Sequence, residues 1–344
     1  MCPVTLLRIS RISSFCHVRI TWAFLLLTNL LTTGSYAQDD LADFLIADPE
    51  DAELLVTDYI SPLDKGFGYI TNSGWYNTAR PHTMGFDLSV MVGSAMIPSK
   101  AKFTKFVQDK YKDLELLSPA DKMVPTVFGP EDINPEYRVV STGETFEGPG
   151  GNSLKDEFGY DAVLLPMLQL GVGVIPHTDI KFRFMPLVEF DDDLESKMWG
   201  VGIMHNINNY FPSGDELLVD FSLFAGYTRV ESEIQITETY PGEDQLGVQG
   251  LSSWTIDGLI SYEWSVLTFF GGIGYNEVIS NIDLLGTYDI GSEILVDPID
   301  AKSKHSGVKA CLGLRIKAAF FSLHGEYTYN DYNLITAGFG INID

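Results

Sequence analysis

The sequence predicts an all-β fold, an antiparallel transmembrane β-barrel of about twelve strands, with ten to fourteen allowed, and a short N-terminal helical segment. Apolar and polar residues alternate with a period of two over many segments. Aromatic residues stand near the ends of these segments, and tight and long connections mostly alternate between them. The chain accordingly divides into an export signal at residues 1–37, a helical plug or periplasmic segment at 38–80 and a barrel at 81–344.

The first segment has the pattern of a cleaved export signal. Arginines up to Arg19 precede an apolar run from Ile20 to Leu31, and Ser35 and Ala37 supply small residues before a cut. Cleavage after Ala37 removes three of the 22 basic residues and none of the 47 acidic ones, so the net charge changes from -25 to -28. So acidic a chain is not expected to bind nucleic acid, because phosphate binding relies on Lys and Arg.

A helix is predicted directly after the signal. Asp48 is placed to cap its N-terminus, Pro49 fits its first position, and residues from Ala52 to Tyr59 recur with helical spacing on one apolar face. The glycine- and aromatic-rich segment that follows fits neither a continuous helix nor a strand. It could be a plug or a periplasmic collar, and an ordered strap packed on the barrel is favoured over a moving gate. Its candidate plug or gate residues are Phe67, Tyr69, Trp75 and Tyr76.

The strands that follow have one apolar and one charged face. In one of them Phe182 and Phe184 alternate with Lys181 and Arg183. The charged face is predicted to point into the barrel, where it could line a selective aqueous channel or form a salt-bridged network that fills a closed barrel. The sequence favours neither the channel nor the closed, salt-bridged barrel. The predicted lumen-lining residues are Lys181, Arg183, Glu189, Asp257, Glu263, Lys309, Arg315, Lys317, His324 and Glu326.

A soluble β-sandwich would show the same alternation, so other features must favour the barrel. Aromatic residues near strand ends are typical of the girdles at the two membrane interfaces. Nine strands are expected from about Val163 onward and one from Gly85 to Ile97, and the region from Ala101 to Thr145 should supply two more. The predicted girdle residues are Trp199, Tyr210, Tyr227, Trp254, Trp264, Tyr275, Tyr329 and Tyr332.

Several short motifs of this sequence can be compared with those of known families: Pro62 with residues 65–68, residues 74–79 with His82, residues 86–87, 125–130, 168–173, 199–202 with His205, and 224–228. Together they resemble the motifs of an uncharacterised family of predicted outer-membrane proteins from the Bacteroidota. The resemblance implies the fold and an outer-membrane location but no activity. An N-terminal helix before a wide barrel also looks, more distantly, like the outer-membrane transporters of fatty acids and other hydrophobic compounds.

Chemical sites are scarce in this sequence. It has neither nucleotide-binding fingerprint, and its histidines show no metal-ligand spacing, so no cofactor and no metal are expected. Ser322 and His324 are the only close Ser/His pair on one strand face, and polar barrel wall is the favoured interpretation of this pair. Residues 191–193 with Glu195 could hold Ca²⁺ but are more typical of a solvated hairpin tip.

These observations lead to an expected function. The chain is expected to be a non-enzymatic barrel of the outer membrane that passively transports small molecules, hydrophobic ones included. The alternatives are a non-conducting structural or surface-interaction barrel and, third, a lipid-modifying enzyme. Expected partners are outer-membrane lipid, a small-molecule solute and the barrel-assembly machinery, because residues 336–343 resemble its terminal-strand motif, with Ile343 in place of the usual aromatic residue.

Overall fold

Ten antiparallel strands form a closed barrel in this protein. The computed structural model describes residues 40–155, 159–190, 194–212, 217–235, 240–290 and 293–343, with the backbone alone at 40, 174, 186–190, 194 and 293. The predicted signal and the acidic residues 191–193 lie outside the described residues. The strands are β1 (Phe86–Met96), β2 (Phe103–Lys105), β3 (Leu114–Ser118), β4 (Met123–Pro125), β5 (Glu136–Val139), β6 (Thr145–Glu147), β7 (Ala162–Ile175), β8 (Thr178–Phe190), β9 (Leu194–Asn206), β10 (Asp220–Gln235), β11 (Leu246–Trp264), β12 (Leu267–Leu285), β13 (Thr287–Ile290), β14 (Glu293–Val296), β15 (Ile299–Ala318), β16 (Phe321–Tyr329) and β17 (Leu334–Ile343).

The barrel consists of β1, β7 to β12 and β15 to β17. Each strand pairs with the next barrel strand in the chain, and β1 closes the ring against β17, with Phe86 opposite Ile343 and Ala95 opposite Leu334. The strand predicted from Gly85 to Ile97 and the nine strands predicted from about Val163 onward are confirmed. All-β antiparallel architecture is therefore confirmed, whereas the expected count of about twelve strands is not.

The two missing strands were predicted within residues 101–145. This region contains β2 to β6, of three to five residues each, which pair only among themselves, β2 with β4 and β5 with both β3 and β6. A barrel strand that spans a membrane needs about nine to eleven residues, so these strands are too short for the wall. They form a cap over one end of the barrel, together with the β13–β14 hairpin and the N-terminal residues.

The two ends of the barrel differ in their connections. At the end that carries the cap, the cap end, the described connecting residues are 97–155, 159–161, 240–245, 286–290, 293–298 and 330–333. At the opposite end, the turn end, the links at 176–177, 265–266 and 319–320 are tight, and the connection between β9 and β10 is longer, with residues 207–212 and 217–219 described. Tight and long connections therefore alternate largely as the sequence predicts.

The N-terminal helix is longer than the sequence predicts. A 3-10 helix at Asp40–Ile46 precedes α1 (Pro49–Thr71), and the predicted cap is confirmed because Asp48 accepts a hydrogen bond from the Glu50 amide at 3.1 Å. Three further 3-10 turns lie at Ser99–Ala101, Gln108–Lys110 and Asn208–Tyr210. No helix in the described part of the chain is long and apolar enough to cross a membrane.

The expectation that residues 66–69 break the helix is wrong, and the reason lies in tertiary packing. α1 enters the barrel, and a Cβ atom added at Gly68 would lie 2.3 Å from a methyl carbon of Val278 on β12. Glycine is unfavourable in a free helix by about 1 kcal/mol, but here it permits the helix to approach the wall closely. Local propensity alone therefore predicts the wrong structure at this position.

The outer face of the barrel carries an apolar belt. On β11 the outward side chains run from Trp254 through Ile256 and Ile260 to Trp264. At about 3.3 Å per residue and a tilt of about 35–45°, this stretch covers roughly 25 Å along the barrel axis.

Aromatic side chains bound the belt at the cap end, and the row that they form is called here the upper rim. The rings of Trp199 and Tyr227 lie 5.7 Å apart, and those of Trp254 and Tyr275 lie 5.8 Å apart. The expected girdle role of Tyr332 is wrong, because this side chain is buried in edge-to-face contact with Tyr69 inside the barrel.

Charged pairs cover the outer face beyond the upper rim. Lys197 on β9 pairs with Glu231 on β10 at 3.1 Å, and Lys304 on β15 pairs with Glu277 on β12 at 2.9 Å. The change from apolar to charged side chains along the same strands marks one edge of the belt.

Candidate functional site

The N-terminal segment runs through the barrel from the cap end to the turn end. α1 starts in the cap, where Asp51 accepts hydrogen bonds from the amides of Lys112 and Asp113 at 2.9 Å each. The chain ends its passage at the turn end, where Nδ1 of His82 lies 2.9 Å from the Asp179 carboxylate. Residues 61–82 therefore occupy the interior along the barrel axis, and they are called the plug here.

Arg183 on β8 fixes the middle of the plug. Its guanidinium donates to the main-chain oxygens of Thr71 and Ser73 at 3.0 and 2.9 Å and to Oε1 of Gln169 at 2.9 Å. The guanidinium carbon also lies 4.0 Å from the ring centre of Trp75. Arg183 is only 1% exposed, and this predicted lumen-lining residue binds main-chain atoms of the plug.

A second group of charged side chains holds the next turn of the chain. Nζ of Lys309 donates to the main-chain oxygen of Asn72 at 2.6 Å and lies 3.1 Å from the Asp257 carboxylate. Glu326 accepts a hydrogen bond from the Gly74 amide at 3.1 Å. All three ionisable residues are buried, where Lys309 pairs with Asp257 and the plug main chain hydrogen-bonds Lys309 and Glu326.

The four predicted plug aromatics lie in the barrel interior or at its entrance. Trp75 is fully buried against Phe224, with ring centres 5.4 Å apart, and Tyr76 contacts the same ring. Tyr69 is buried, and Phe67 is half-buried on α1. The wall is shaped to admit the Trp75 ring, because a Cβ atom at any of three wall glycines would lie 3.2 Å from it: Gly200, Gly202 and Gly226.

The other predicted lumen-lining residues are distributed along the wall. Lys181 is buried 3.7 Å from Asp179, Arg315 donates to Asn342, and His324 is buried. Glu263 and Lys317 lie at the turn end, where Glu263 is about half exposed and bonds Arg80. The side chain of Glu189 lies outside the described residues. A role of these residues in lining a conducting lumen stays a prediction.

Part of the interior toward the cap end is apolar. There Ile70 and Tyr69 of α1 pack against wall residues that carry no charge. Sequence analysis did not single out these residues, although they occupy the alternate positions of predicted strands. The buried wall residues form one hydrophobic cluster around α1, which is called the apolar chamber here: Met91, Ala95, Val163, Leu165, Met167, Met185, Met198, Leu251, Val278 and Leu334.

Gln169 is one of the polar site residues that were not singled out from the sequence. It lies on β7 between two leucines, accepts from Arg183 and donates to the main-chain oxygen of Trp75 at 3.2 Å. An amide on the inward side of an otherwise apolar strand is the signal that could have identified it.

The structure brings together no catalytic pair at the predicted Ser/His positions. Ser322 Oγ accepts a hydrogen bond from Asn342 at 2.7 Å, and no hydrogen bond between Ser322 and His324 is present among the described residues. Within the described ranges, no group of three or more His, Cys, Asp or Glu side chains could hold a metal ion.

The cap has a hydrophobic core of its own. The rings of Phe106 and Tyr111 stack 4.4 Å apart, and Tyr137 packs beside them. Asp58 of α1 lies at the edge of this core, where burial raises its pKa against the opposing effects of Lys110 and of the hydrogen bond from Tyr111. Residues of α1, of the 97–161 insertion and of the β13–β14 hairpin all contribute to this core, so the cap ties the plug to the wall.

Residues 17–343 match the model of a family of unknown function (DUF6588), so the chain belongs to this family. No curated protein sequence matches it.

Three solved structures illustrate the comparison with known folds. The translocator domain of the autotransporter NalP from Neisseria meningitidis is 10% identical, with 84% of this chain and 99% of that chain covered and a TM-score of 0.33. The attachment invasion locus protein Ail of Yersinia pestis is 8% identical, with 75% and 96% covered and a TM-score of 0.28. The toluene transporter TodX of P. putida is 6% identical, with 76% and 89% covered and a TM-score of 0.24. The fold assignment rests on the strand pairing described above.

Proposed function

We propose that this member of the DUF6588 family is an integral β-barrel of the outer membrane that is closed by its plug and passes small, largely apolar molecules when the plug shifts. The membrane location is supported by the apolar belt, whose height of roughly 25 Å matches that of the lipid-facing band of outer-membrane barrels. The aromatic upper rim and the charged pairs beyond it complete the match. A cleaved signal at residues 1–37 and an origin in the Bacteroidota belong to the same proposal.

The hydrogen bonds between the plug and the wall carry the functional part of the proposal. Arg183, Lys309 and Glu326 are bonded to plug main-chain atoms at residues 71–74. These groups would otherwise face water in an open lumen, so the barrel is not an open pore in this state. Transport then depends on breaking these few bonds, since displacement of the plug exposes the polar wall.

Conductance of the purified mature chain in planar bilayers tests this proposal. The wild type should show rare, brief openings, and Arg183→Met, which removes two hydrogen bonds to the plug, should open at least tenfold more often. A steady ohmic pore in the wild type would contradict the closed state. Silence of both proteins, with folding verified by a heat-shift gel, would exclude transport through the barrel.

A second candidate is a non-conducting barrel that acts through its surface. The separate core of the cap favours it, because a stably folded cap of this kind can present a surface at the cap end. Conductance that stays absent in plug variants, with an intact fold, would support this candidate. No catalytic step is part of either proposal.

A further inference from the structure

The backbone ladder between β7 and β8 ends inside both strands. Pairing runs from Val172 opposite Ile180 to Leu168 opposite Phe184, and no pair between 162–167 and 185–190 occurs among the described residues. Each stretch stays attached on its other side, 162–167 to β1 and 188–190 to β9. The wall therefore contains a seam, formed by residues 162–167 and 185–190, that opens toward the cap end.

Proline on β7 explains one side of the seam. The Ile97 amide donates to the Asp161 oxygen at 2.9 Å, so odd-numbered residues along this part of β7 direct their hydrogen-bonding groups toward β1. Even-numbered residues consequently direct theirs toward β8. Pro166 is one of these, and its ring nitrogen has no hydrogen to donate across the seam.

Proline on β8 explains the other side. If the register continued by two residues beyond Leu168 and Phe184, Pro166 would lie opposite Pro186. Neither residue can donate a ladder hydrogen bond, and β8 has a bulge between Met185 and Val188 in its pairing with β9. Prolines are normally confined to edge strands, so two facing prolines turn an interior position of the wall into two local edges.

The interior behind the seam is the apolar chamber. The inward side chains nearest the seam are Met167 on β7, Met185 on β8 and Met198 on β9, all buried beside Ile70 of α1. Arg183, two residues nearer the turn end on the same face, lies in the polar part of the interior, where it hydrogen-bonds the plug. Methionine side chains are flexible and polarizable, so a chamber lined by them can adapt to apolar molecules of different shapes.

The seam begins at the level of the upper rim. Phe184, the last residue of β8 that pairs with β7, lies opposite Trp199 of the rim on β9. Leu164, Pro166 and Leu168 are half-buried on the outward side of β7. An apolar molecule that concentrates where the hydrocarbon region meets the headgroups would meet the seam at this height.

We propose that the seam is a lateral port through which small apolar molecules with an alkyl chain or an aromatic ring pass between the membrane and the apolar chamber. This inference rests on the proposed membrane location and names the route and the substrate class. Separation of the two edges breaks side-chain packing but no backbone hydrogen bonds, in contrast to the fully paired parts of the wall. An interface between two copies of the chain is the competing role of these edges.

Photolabelling with an apolar diazirine, 3-trifluoromethyl-3-(m-iodophenyl)diazirine, tests the port in phosphatidylcholine vesicles. Labelled residues are located by mass spectrometry in the mature wild type and in M167C/M185C, whose disulfide would lock the seam. If the register continued by one residue beyond Leu168 and Phe184, the two cysteines would face each other, and facing residues of antiparallel strands suit a disulfide. A matched control, L170C/F182C, places the disulfide where the strands are already paired.

In the wild type we expect label on Ile70 and Met198 in the chamber and on Leu312 in the belt. In oxidised M167C/M185C the chamber label should be at least fivefold lower than in the wild type, and reduction should restore it. The label on Leu312 should be the same in both proteins, and the oxidised control variant should keep the chamber label of the wild type. Chamber labelling that is absent in the wild type, or equal in the locked variant, overturns the port. Missing label on Leu312 overturns the membrane location itself, and a disulfide between two chains assigns the seam to self-association.

Discussion

Replacement of Arg183 by methionine should loosen the plug without unfolding the barrel. Methionine keeps much of the volume but loses the hydrogen bonds to the oxygens of Thr71, Ser73 and Gln169. The Thr71 oxygen retains the Trp75 indole as a donor at 3.1 Å, so two acceptors, on Ser73 and Gln169, lose their strongest partner. The change therefore acts on the plug and its immediate wall contacts.

The magnitude follows from these two acceptors. Each buried acceptor left without a donor destabilises the bound state of the plug by about 1–3 kcal/mol. Removal of the buried charge of Arg183 offsets part of this loss. A net loss of about 3 kcal/mol is expected, and at about 1.4 kcal/mol per factor of ten this raises the population of the displaced plug roughly 100-fold. The barrel ladder is unaffected because the backbone pairs of β8 with β9 do not involve the guanidinium.

Native-state hydrogen exchange measures this effect directly. Amides in residues 72–80 should exchange roughly 100-fold faster in Arg183→Met, whereas amides of β11 and β12 should keep their protection. Arg315→Met is the matched control, since it removes a buried arginine that bonds the wall residue Asn342. Unchanged exchange in residues 72–80 of Arg183→Met would refute the inference that this side chain holds the plug.

Three further predictions concern helix packing, cap titration and the belt. Gly68→Ala should destabilise the protein by about 1–3 kcal/mol through overlap with a β12 valine, whereas Gly258→Ala, which has no such neighbour, should be tolerated in urea titrations. Burial raises the pKa of Asp58 in the folded cap, so its contribution to cap stability should be fully present below the unfolded pKa of about 4 and be lost as pH rises through the folded pKa. Hydrogen exchange of cap amides should show this loss of stability in the wild type but not in Asp58→Asn. Leu312→Arg, at an outward position in the belt that is 75% exposed, should cost about 2–4 kcal/mol in folding into vesicles, and Ser306→Arg beyond the rim should cost little.

Each of these predictions has a clear contrary result. Equal stability of the two glycine variants would mean that α1 does not approach β12 as closely as described. A pH-independent wild-type cap would exclude a raised folded pKa at Asp58. Equal folding of the two arginine variants would contradict the membrane belt, and with it the proposed location.

The wall of the barrel could be predicted from the sequence, whereas the cap and the course of the plug could not. Period-two alternation in β8 and β11 is sustained over many residues and is typical of one lipid-facing and one inward face. Within residues 101–145 the strands are too short for this pattern to separate a wall strand from a cap strand. Their assignment depends on partners, such as Leu114 with Val139, that the local sequence does not indicate.

The contacts of the candidate site could not be predicted from the sequence either. The inward direction of Arg183 and Lys309 follows from alternation, but their partners are main-chain oxygens of Thr71, Ser73 and Asn72, far away in the chain. Any residue type offers a main-chain oxygen, so no side-chain pattern marks these acceptors. The same limit applies to the seam, where the two prolines are visible in the sequence but their facing register is not.

The division of the interior into a polar and an apolar zone determines where plug release begins. Apolar contacts around Ile70 have no fixed direction and tolerate small shifts, whereas the hydrogen bonds of Arg183 and Lys309 fix the plug in one register. Breaking those bonds requires water to replace the lost partners, and water is nearest at the turn end, where Arg80 is largely exposed. The cap end is covered by the cap core and the apolar chamber. We therefore expect the plug to detach from the turn end first, while α1 stays packed in the cap.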